Sequence, residues 1–332
     1  MTTLNQLKAS DLFFDAIPQA PQGRFAHFIL LRETESFPVF QTDGTLNVIR
    51  VRAGLQNAQP LSRLVMFKRK QSSPERLTGR ELLRACGILG DTDDTRCEYN
   101  SENFCKHCPD CIHYGYAIGD AGAEKSKVLT DSAFSITPYE DSHKAFSFNA
   151  LYEHGTMTQK GETRSSFGEQ DHIMPQVFFP AVETLRDPTY EGFLYVLGNL
   201  LRTDRYGAQE TRTGKVRNQL VAICFANGEI FSNLRLTQAV YDALGEERAT
   251  PLAPTRVFDA TARVYHELMA QEPLSRARQV LDADLVTLVA EVTALYQDAE
   301  RTREVLKVLD AKTRAYAQEF GAPKKKGKAK TE

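Results

Sequence analysis

The sequence predicts an α+β fold that becomes helical towards its end. Three short apolar segments in the first third of the chain, at 25–31, 46–52 and 64–67, have the length and pattern of β-strands. From Leu236 onward the chain has a helical character. Hydrophobic residues make up 42% of the 332 residues and charged residues 25%, which indicates a folded protein of one large domain or two.

Neither a membrane span nor an export signal is predicted. The chain has no run of about 18 apolar residues that could cross a membrane. Its first residues lack the basic start and apolar core of a secretory signal. We therefore expect a cytoplasmic protein without a membrane partner. In that compartment, six cysteines favour metal binding over a disulfide framework.

Positive charge is concentrated in one part of the chain. Between positions 50 and 84 there are nine Lys/Arg residues against two glutamates, a local net charge of +7, whereas the whole chain has a net charge of −2. This asymmetry indicates a polyanionic partner for one face, although a solvated basic surface would give the same pattern. The cations that we expect to bind RNA here are Arg50, Arg52, Lys68, Arg69, Lys70, Arg80 and Arg84.

A helix is expected to begin near Thr78. This threonine can cap the helix, and Glu81 three residues later completes a capping box. Arg80 and Arg84 would then lie on one face, one turn apart. Because backbone N–H groups are free at a helix start, we expect this face to suit phosphate.

Four cysteines follow as C-x7-C-x2-C-x2-C, at Cys97, Cys105, Cys108 and Cys111. A C-x2-C turn lets two thiolates reach one ion, and four thiolates complete a tetrahedral zinc site. We therefore predict a structural zinc ion, whose four protein ligands would leave no open position for catalysis. An iron–sulfur cluster is a weaker alternative, because the usual fourth cysteine followed by proline is absent. A cluster of thiols without a bound metal is another alternative.

A polar loop at 153–171 is predicted to be the tip of a long hairpin, between strands expected at 145–151 and 177–179. Such a tip could insert an apolar residue between bases while its cations neutralise phosphates. A plain mobile loop is the alternative, but loops of this length usually have a function. The expected RNA contacts of this loop are Met157, Lys160, Arg164 and Phe167.

A second phosphate-binding candidate follows an amphipathic helix predicted at 190–201. Gly207 and Gly214 in this segment permit close approach of the backbone to a ligand. The segment is not a nucleotide phosphate loop, because the Gly-Lys-[Ser/Thr] ending is missing. A basic surface turn is the alternative interpretation. The expected RNA contacts are Arg205, Arg212, Lys215 and Arg217.

The C-terminal part is predicted to be helical. Apolar residues from Leu281 to Leu309 alternate at steps of three and four, which is typical of a helix-packing seam. We expect this seam to pack on the body of the protein or on a neighbour rather than to form a free coiled coil. The last ten residues hold five lysines and are expected to be disordered and to touch nucleic acid loosely.

Three motifs together resemble the repeat-associated superfamily of CRISPR proteins. More closely, the chain resembles the Cascade backbone subunit of the type I-D system, a member of CRISPR-associated family seven. Residues 78–84, TGRELLR, are similar to that superfamily's Ser-x-Lys-Gly-x-x-Arg helix start, with Glu81 replacing the glycine. Residues 108–115, CPDCIHYG, are similar to its C-x-x-C segment that ends in an aromatic residue and glycine. Residues 206–216, YGAQETRTGKV, are similar to its glycine loop, with Ala208 where a second glycine is usual.

The resemblance covers residues 25–235 and implies a ferredoxin-like palm of the RNA-recognition-motif type. The polar loop stands where the family has a protruding thumb. The implied division is a palm over 23–235 with a zinc-binding insertion at 96–116 and a thumb hairpin at 145–179, a helical region over 236–320 that packs on the palm or a neighbour, and a disordered basic tail over 321–332.

The resemblance also implies a function. Many copies of such a subunit line a CRISPR RNA as a helical filament, and the thumb of each copy kinks the guide at regular intervals. The other implied partners are further Cascade subunits and target DNA or RNA, in antiviral defence. The resemblance implies a scaffold that is not an enzyme.

Two other functions stay open. Some relatives cut target RNA with one aspartate near the first strand, and Asp43 is the candidate that we can place there. It has no acidic neighbour for a two-metal site, and a role in a turn explains it better. A stand-alone zinc-containing nucleic-acid-binding protein is the other alternative, although no groove-reading element is evident.

Overall fold

The computed structural model describes residues 3–119, 122–153, 155–163 and 167–321, with the backbone alone for Thr163 and Phe167. Its helices are α1 (Thr3–Lys8), α2 (Lys68–Ala85), α3 (Pro109–Tyr114), α4 (Tyr139–Ser142), α5 (Tyr190–Arg202), α6 (Asn233–Leu244), α7 (Pro254–Gln271), α8 (Asp282–Gln297) and α9 (Ala299–Phe320). Its strands are β1 (Phe25–Thr34), β2 (Gln41–Thr42), β3 (Thr45–Leu46), β4 (Val48–Arg52), β5 (Pro60–Met66), β6 (Tyr116–Ala117), β7 (Ala123–Glu124), β8 (Val128–Thr130), β9 (Ala133–Phe134), β10 (His143–Asn149), β11 (Thr158–Gln159), β12 (Glu162–Thr163), β13 (Phe167–Ile173), β14 (Phe178–Arg186), β15 (Val216–Ala226) and β16 (Arg276–Val280).

One antiparallel sheet organises the chain, with strand order β16-β15-β1-β14-β8. Its central strand β1 is an almost continuous apolar run and is buried along nearly its whole length, because helices cover both faces of the sheet. Phe28 and Leu30 belong to the core that includes Phe193 of α5. The alternate residues of β1 point into a second core formed with α6 and α7.

Three segments interrupt the elements of this sheet. The segment between β1 and α2 contains β4 and β5, which form a separate three-stranded sheet with β9. The segment between α2 and β8 carries the four cysteines and α3. The segment between β8 and β14 contains an antiparallel hairpin of β10 and β13, paired from His143 opposite Ile173 to Asn149 opposite Phe167. These segments are where most of the predicted site residues lie.

Two predicted element boundaries were wrong. Helix α2 begins at Lys68, ten residues before the expected start, and continues through Pro74. The expected hairpin arm at 177–179 instead begins β14, which pairs with β1 in the main sheet, and the actual second arm is β13. Both errors arose because long-range pairing outweighed local turn signals.

The C-terminal part contains more than helices. Residues Arg276–Val280, which we expected to be helical, form β16 at the edge of the main sheet, where Arg276 and Arg278 are exposed. The predicted seam is divided at Asp298, whose side chain caps α9 by accepting from the N–H groups of Glu300 and Arg301. Helices α8 and α9 bury their apolar faces in the core that contains Phe28.

The predicted α+β class is therefore confirmed, with an antiparallel sheet and C-terminal helices. Among the described residues, no helix combines the length and the apolar character that a membrane crossing requires.

Candidate metal centre and nucleic-acid interface

The four predicted cysteine ligands converge. The sulfur atoms of Cys97, Cys105, Cys108 and Cys111 all lie within 4.8 Å of one another. The Sγ–Sγ distances are 3.6 Å from Cys97 to Cys111, 3.8 Å from Cys105 to Cys111 and 3.9 Å from Cys108 to Cys97. A tetrahedron with Zn–S bonds of about 2.3 Å has edges of about 3.8 Å. The cluster therefore has the size to hold a metal ion.

The surroundings favour a thiolate at Cys97 and Cys105, whereas the pKa values of the Cys108 and Cys111 thiols are raised. Backbone N–H groups of Cys105 and Cys108 donate to the sulfur atoms of Cys97 and Cys105, at 3.4 Å and 3.3 Å. Hydrogen bonds from the thiols of Cys108 and then Cys111 lower the pKa of Cys105. A cluster that stabilises negative sulfur is chemically suited to a cation.

The cysteine cluster is clamped to α2 through one carboxylate. Asp110 lies in the first turn of α3, between two of the cysteines, and its side chain is buried. Arg76 donates two parallel hydrogen bonds of 2.9 Å to the Asp110 carboxylate, and Arg80 donates to the same carboxylate at 2.7 Å. Arg80 also donates to the sulfur and the carbonyl oxygen of Cys97. Burial lowers the pKa of the Arg80 guanidinium, but Asp110 and Cys97 together outweigh burial and raise it.

This clamp changes the expectation for Arg80. Its guanidinium is fully buried and does not reach the surface, so Arg80 does not form the phosphate-binding face that we expected it to share with Arg84. Arg84 is exposed on the next turn. The partner that draws Arg80 inward, Asp110, lies thirty residues away in the sequence and gave no local signal.

A basic ridge, defined here as Lys68, Arg69 and Lys70, forms the first turn of α2. Lys68 and Arg69 are exposed, and Lys70 is half-buried. The residue before the helix, Phe67, provides no side-chain cap for the first N–H groups of the helix. Cations at a helix N-terminus oppose its dipole by about 0.3–1 kcal/mol each. The ridge therefore does not serve helix stability, and it suits a polyanion.

The ridge borders a groove of about 560 Å³, which we call the loop-side groove. It lies between α2, the segment after α5 and the cysteine segment, so it unites parts of the chain that the sequence separates by more than 100 residues. The groove also carries two carboxylates, Glu81 and Glu210. Its other lining residues are Arg69, Lys70, Ser73, Pro74, Leu77, Thr78, Tyr99, Asn100, Arg205 and Gly207.

The glycine segment, defined here as residues 203–215 between α5 and β15, has a constrained backbone beside this groove. Gly207 has φ +93°, and a Cβ there would lie 2.6 Å from the carbonyl oxygen of Val39. Gly214 has φ +94°, and a Cβ there would approach the carbonyl oxygen of Tyr206 equally closely. Arg205 donates to the carbonyl oxygens of Glu210 and Thr213, at 2.8 Å and 3.0 Å. Glycine is therefore required at both positions by the backbone conformation and the close approach.

A buried ionic network fixes the other side of the segment. Arg32 of β1 pairs with Glu75 of α2 at 2.9 Å and with Glu183 of β14 at 3.4 Å. Tyr206 donates to Glu75 at 3.0 Å and accepts from Arg32 at 2.9 Å. Burial and then the neighbouring Glu75 raise the pKa of Glu183.

Sequence reasoning missed this network. An arginine within the apolar run of β1 was the available signal, because a cation in a buried strand requires a buried anion. The network joins α2, which carries the ridge, to the glycine segment, and so it positions both walls of the loop-side groove.

The remaining predicted RNA contacts lie elsewhere. Lys215 is paired with Asp204, and Arg217 with Glu33 and Glu35, so their charges are partly compensated. Four of these predicted contacts are exposed: Arg50 and Arg52 on β4, Arg212 between Gly207 and Gly214, and Lys160 in the turn between β11 and β12. Met157 is half-buried. Arg164 and the side chain of Phe167 lie outside the described residues.

Asp43, the candidate for a nuclease, lies in the turn between β2 and β3 with φ 56°. This left-handed conformation is one that aspartate tolerates in turns. Among the described residues, the four cysteines are the one group of three or more side chains arranged to hold a metal ion.

The fold and the cysteine cluster define an α+β protein with a metal-binding insertion beside a basic groove. A protein-family model described as "Csc2 Crispr" matches residues 12–306. The chain belongs to this CRISPR family. No curated protein is significantly similar to it.

Two solved structures have a similar fold. The crystal structure of Csc2 from Thermofilum pendens is 14% identical, with a TM-score of 0.61, and the match covers 98% of this chain and 100% of that chain. A chain of a structure described as "CRISPR RNA-guided surveillance complex, pre-nicking" is 11% identical, with a TM-score of 0.53 and coverage of 81% and 99%. At these identities the likeness shows the fold.

Proposed function

We propose that the protein is a non-catalytic backbone subunit that binds CRISPR RNA in a type I-D Cascade complex. The loop-side groove carries this proposal, because it places Arg69 and Lys70 of the basic ridge and Arg205 of the glycine segment around one channel. Arg69, Lys70 and Arg205 would bind phosphates of the guide, and the closely packed backbone of the glycine segment would position the strand. The similar structure is described as an RNA-guided complex, and this description supports the proposal that the chain binds a guide RNA.

The proposed palm is the ferredoxin-like core within 23–235. Its support is the order of elements β1, α2, β8, β14, α5 and β15, together with the antiparallel sheet order β15-β1-β14-β8. This is the βαββαβ pattern that RNA-recognition motifs share. The hairpin of β10 and β13, which begins two residues before the proposed region 145–179, would be the thumb, and α6 to α9, from residue 233 on, would form the proposed helical region 236–320.

The proposed cofactor is a structural zinc ion held by Cys97, Cys105, Cys108 and Cys111. Four thiolates would satisfy a tetrahedral ion and leave no position for water, so the ion would stabilise the insertion without taking part in a reaction. The proposed partners are CRISPR RNA, copies of this chain in a filament, other Cascade subunits and target nucleic acid.

The test is titration of the purified protein onto single-stranded RNAs of increasing length at two salt concentrations. A backbone subunit should bind more tightly in regular length steps and lose affinity steeply with salt. Lys70→Ala and Arg205→Ala should each weaken binding for every sequence and lower the salt slope by about one, whereas the exposed Lys307→Ala on α9 serves as control.

Binding to duplex DNA alone, or no binding to RNA, would oppose the proposal. Divalent-metal-dependent cleavage of target RNA that is lost in Asp43→Ala would support the nuclease alternative instead. Equal behaviour of Lys70→Ala, Arg205→Ala and Lys307→Ala would remove the loop-side groove from the RNA path.

A further inference from the structure

A second groove lies on another face of α2, and we call it the strand-side groove. It has a volume of about 390 Å³. Lys68, Ser72 and Arg76, successive turns of α2, form one wall, and β8 forms the other. Its remaining lining residues are Arg69, Tyr114, Ser126, Val128, Leu129 and Thr130.

The charge of this groove is uncompensated at its rim. Its lining holds three cations and no carboxylate, whereas the loop-side groove holds three cations and two carboxylates. Lys68 and Arg69 are exposed and form no ion pair within the described part of the chain. Arg76 differs, because Asp110 and the carbonyl oxygen of Gly115 fix its guanidinium. The mobile charges available to a ligand are therefore those of Lys68 and Arg69.

The floor of the groove is largely apolar, with Leu129 half-buried and Tyr114 and Val128 buried beneath it. Tyr114, Val128 and Leu129 supply it, and the fixed guanidinium of Arg76 lies 5.8 Å from the centre of the Tyr114 ring. Cations at a rim above an aromatic and apolar floor are what a single-stranded nucleic acid requires, since phosphates need the cations and unpaired bases need the floor. The basic surface ends beyond Lys68, where Asp131 and Glu229 line the neighbouring depression.

We propose that the strand-side groove binds a second single-stranded segment of nucleic acid, separate from the guide. Its phosphates would lie against Lys68 and Arg69, and a base would pack against the half-buried Leu129. Arg69 lines both grooves, so the basic ridge separates two strands and contacts each. The inference rests on the proposed function in one respect: the guide is taken to occupy the loop-side groove.

The ridge provides matched variants. Lys68 lines the strand-side groove and not the loop-side groove, Lys70 has the reverse position, and Arg69 lines both. Lys68 is exposed, so Lys68→Ala should fold normally, and a melting curve checks this. In the experiment, full-length protein is saturated with labelled oligouridine RNA and then titrated with oligothymidine DNA that carries a second label. These two strands cannot pair with each other.

The DNA should bind without releasing the RNA. Lys68→Ala should weaken DNA binding and lower its salt slope by about one while leaving RNA binding unchanged. Lys70→Ala should do the reverse, and Arg69→Ala should weaken both. Repeating the titration with RNA as the second strand distinguishes a DNA segment from a further RNA segment as the natural occupant.

Three outcomes would overturn the inference. DNA that displaces the RNA would mean one shared groove. DNA that fails to bind beside the RNA would mean that no second site exists, and the proposed function would stand. DNA binding that is unaffected by Lys68→Ala would place the second strand elsewhere. If wild-type protein binds no RNA, the proposed function fails, and the DNA titration of Lys68→Ala against Lys70→Ala still decides the inference.

Discussion

Asp110 binds the fully buried guanidinium of Arg80 and the half-buried one of Arg76, so removing either arginine breaks an ion pair whose carboxylate is buried. Arg80→Ala would leave Asp110 with Arg76 alone and the carbonyl oxygen of Cys97 without its donor. Breaking a buried ion pair from one side costs about 3–5 kcal/mol. We expect Arg80→Ala to lower the free energy of unfolding by about that amount, measured by denaturant titration.

The matched control is Arg84→Ala, on the same helix one turn later and exposed. Its effect on stability should stay within about 0.5 kcal/mol, as is usual for surface substitutions. Equal stability of the two variants would show that the clamp does not hold α2. RNA binding by Arg84→Ala, once its stability is shown to be normal, tests the phosphate role predicted for this residue.

His27 should make stability depend on pH. Its Nε2–H donates to the carbonyl oxygen of Gly228 at 2.9 Å and its Nδ1 lies 2.7 Å from Thr184 Oγ1, and burial lowers its pKa from 6.5 to about 4. Between these values the unfolded chain binds a proton that the folded protein does not, so stability falls as the pH falls. Each pH unit of this window is worth about 1.4 kcal/mol at most, which gives about 3 kcal/mol for one group.

The variant His27→Gln should therefore show a smaller loss of stability between pH 6.5 and pH 4 than the wild type. The exposed His266 provides a control, since His266→Gln should keep the wild-type dependence. Parallel curves for the wild type and His27→Gln would show that His27 is not held neutral by the fold.

At the residue scale, the sequence predicted contacts between near neighbours better than contacts between distant residues. The four cysteine sulfur atoms meet as expected because their spacing of two and seven residues lets one loop bring them together. Arg80 was placed wrongly because Asp110 and the core decide its orientation. Local spacing contains no information about such a partner.

Helix α2 shows the same limit for a whole element. The Ser-Ser-Pro sequence before Glu75 favours a turn, and Thr78 with Glu81 is a good capping box, so the helix was expected to begin there. The helix instead runs through Pro74, which removes one backbone hydrogen bond. Buried pairs of Glu75 with Arg32 and of Arg76 with Asp110 lie directly after the proline and stabilise the earlier start.

Removal of the proposed zinc ion should loosen α2 as well as the cysteine insertion. Cysteines of the insertion belong to the main core, and metal binding to sites of this kind is coupled to folding. We expect Cys108→Ser, or treatment of the wild type with a chelator, to lower the zinc content and the melting temperature together. RNA affinity should fall too, because Asp110 would no longer hold the helix that carries the basic ridge.

The control for this experiment is Cys86→Ser, a half-buried cysteine outside the cluster. This variant should keep the zinc content and RNA affinity of the wild type. Unchanged melting and unchanged zinc content in Cys108→Ser would refute a structural zinc ion at the cluster. Zinc loss with unchanged RNA affinity would refute only the coupling through Asp110 and would leave the zinc site itself supported.

At the scale of the whole molecule, both faces of the main sheet need a cover. Helices α6 and α7 cover one face, and α5 with α8 and α9 forms the core on the other. The sequence predicted that the C-terminal seam packs on the body or on a neighbour, and within this chain it packs on the body. The alternation of three and four residues indicated a packing face but contained no information about which surface it meets.

The C-terminal helices should therefore be indispensable for folding. Tyr296 of α8 donates to the carbonyl oxygen of Leu194 at 2.7 Å, and Lys312 of α9 pairs with Glu191 at 2.6 Å, so both helices are tied to α5. Leu288 and Leu309 are among their fully buried residues. Each buried leucine contributes about 2–5 kcal/mol, and a domain has only about 5–15 kcal/mol in total.

A chain that ends at Leu281 should consequently fail to fold, whereas a chain that ends at Gly321 should melt like the full-length protein. Circular dichroism and a melting curve on both truncations measure this directly. The longer truncation also removes the predicted basic tail, so its RNA binding should keep the same length steps with a slightly shallower salt dependence. A folded, RNA-binding chain that ends at Leu281 would mean that α8 and α9 form a separable unit, and the predicted alternative of packing on a neighbouring subunit would then become the better explanation of the seam.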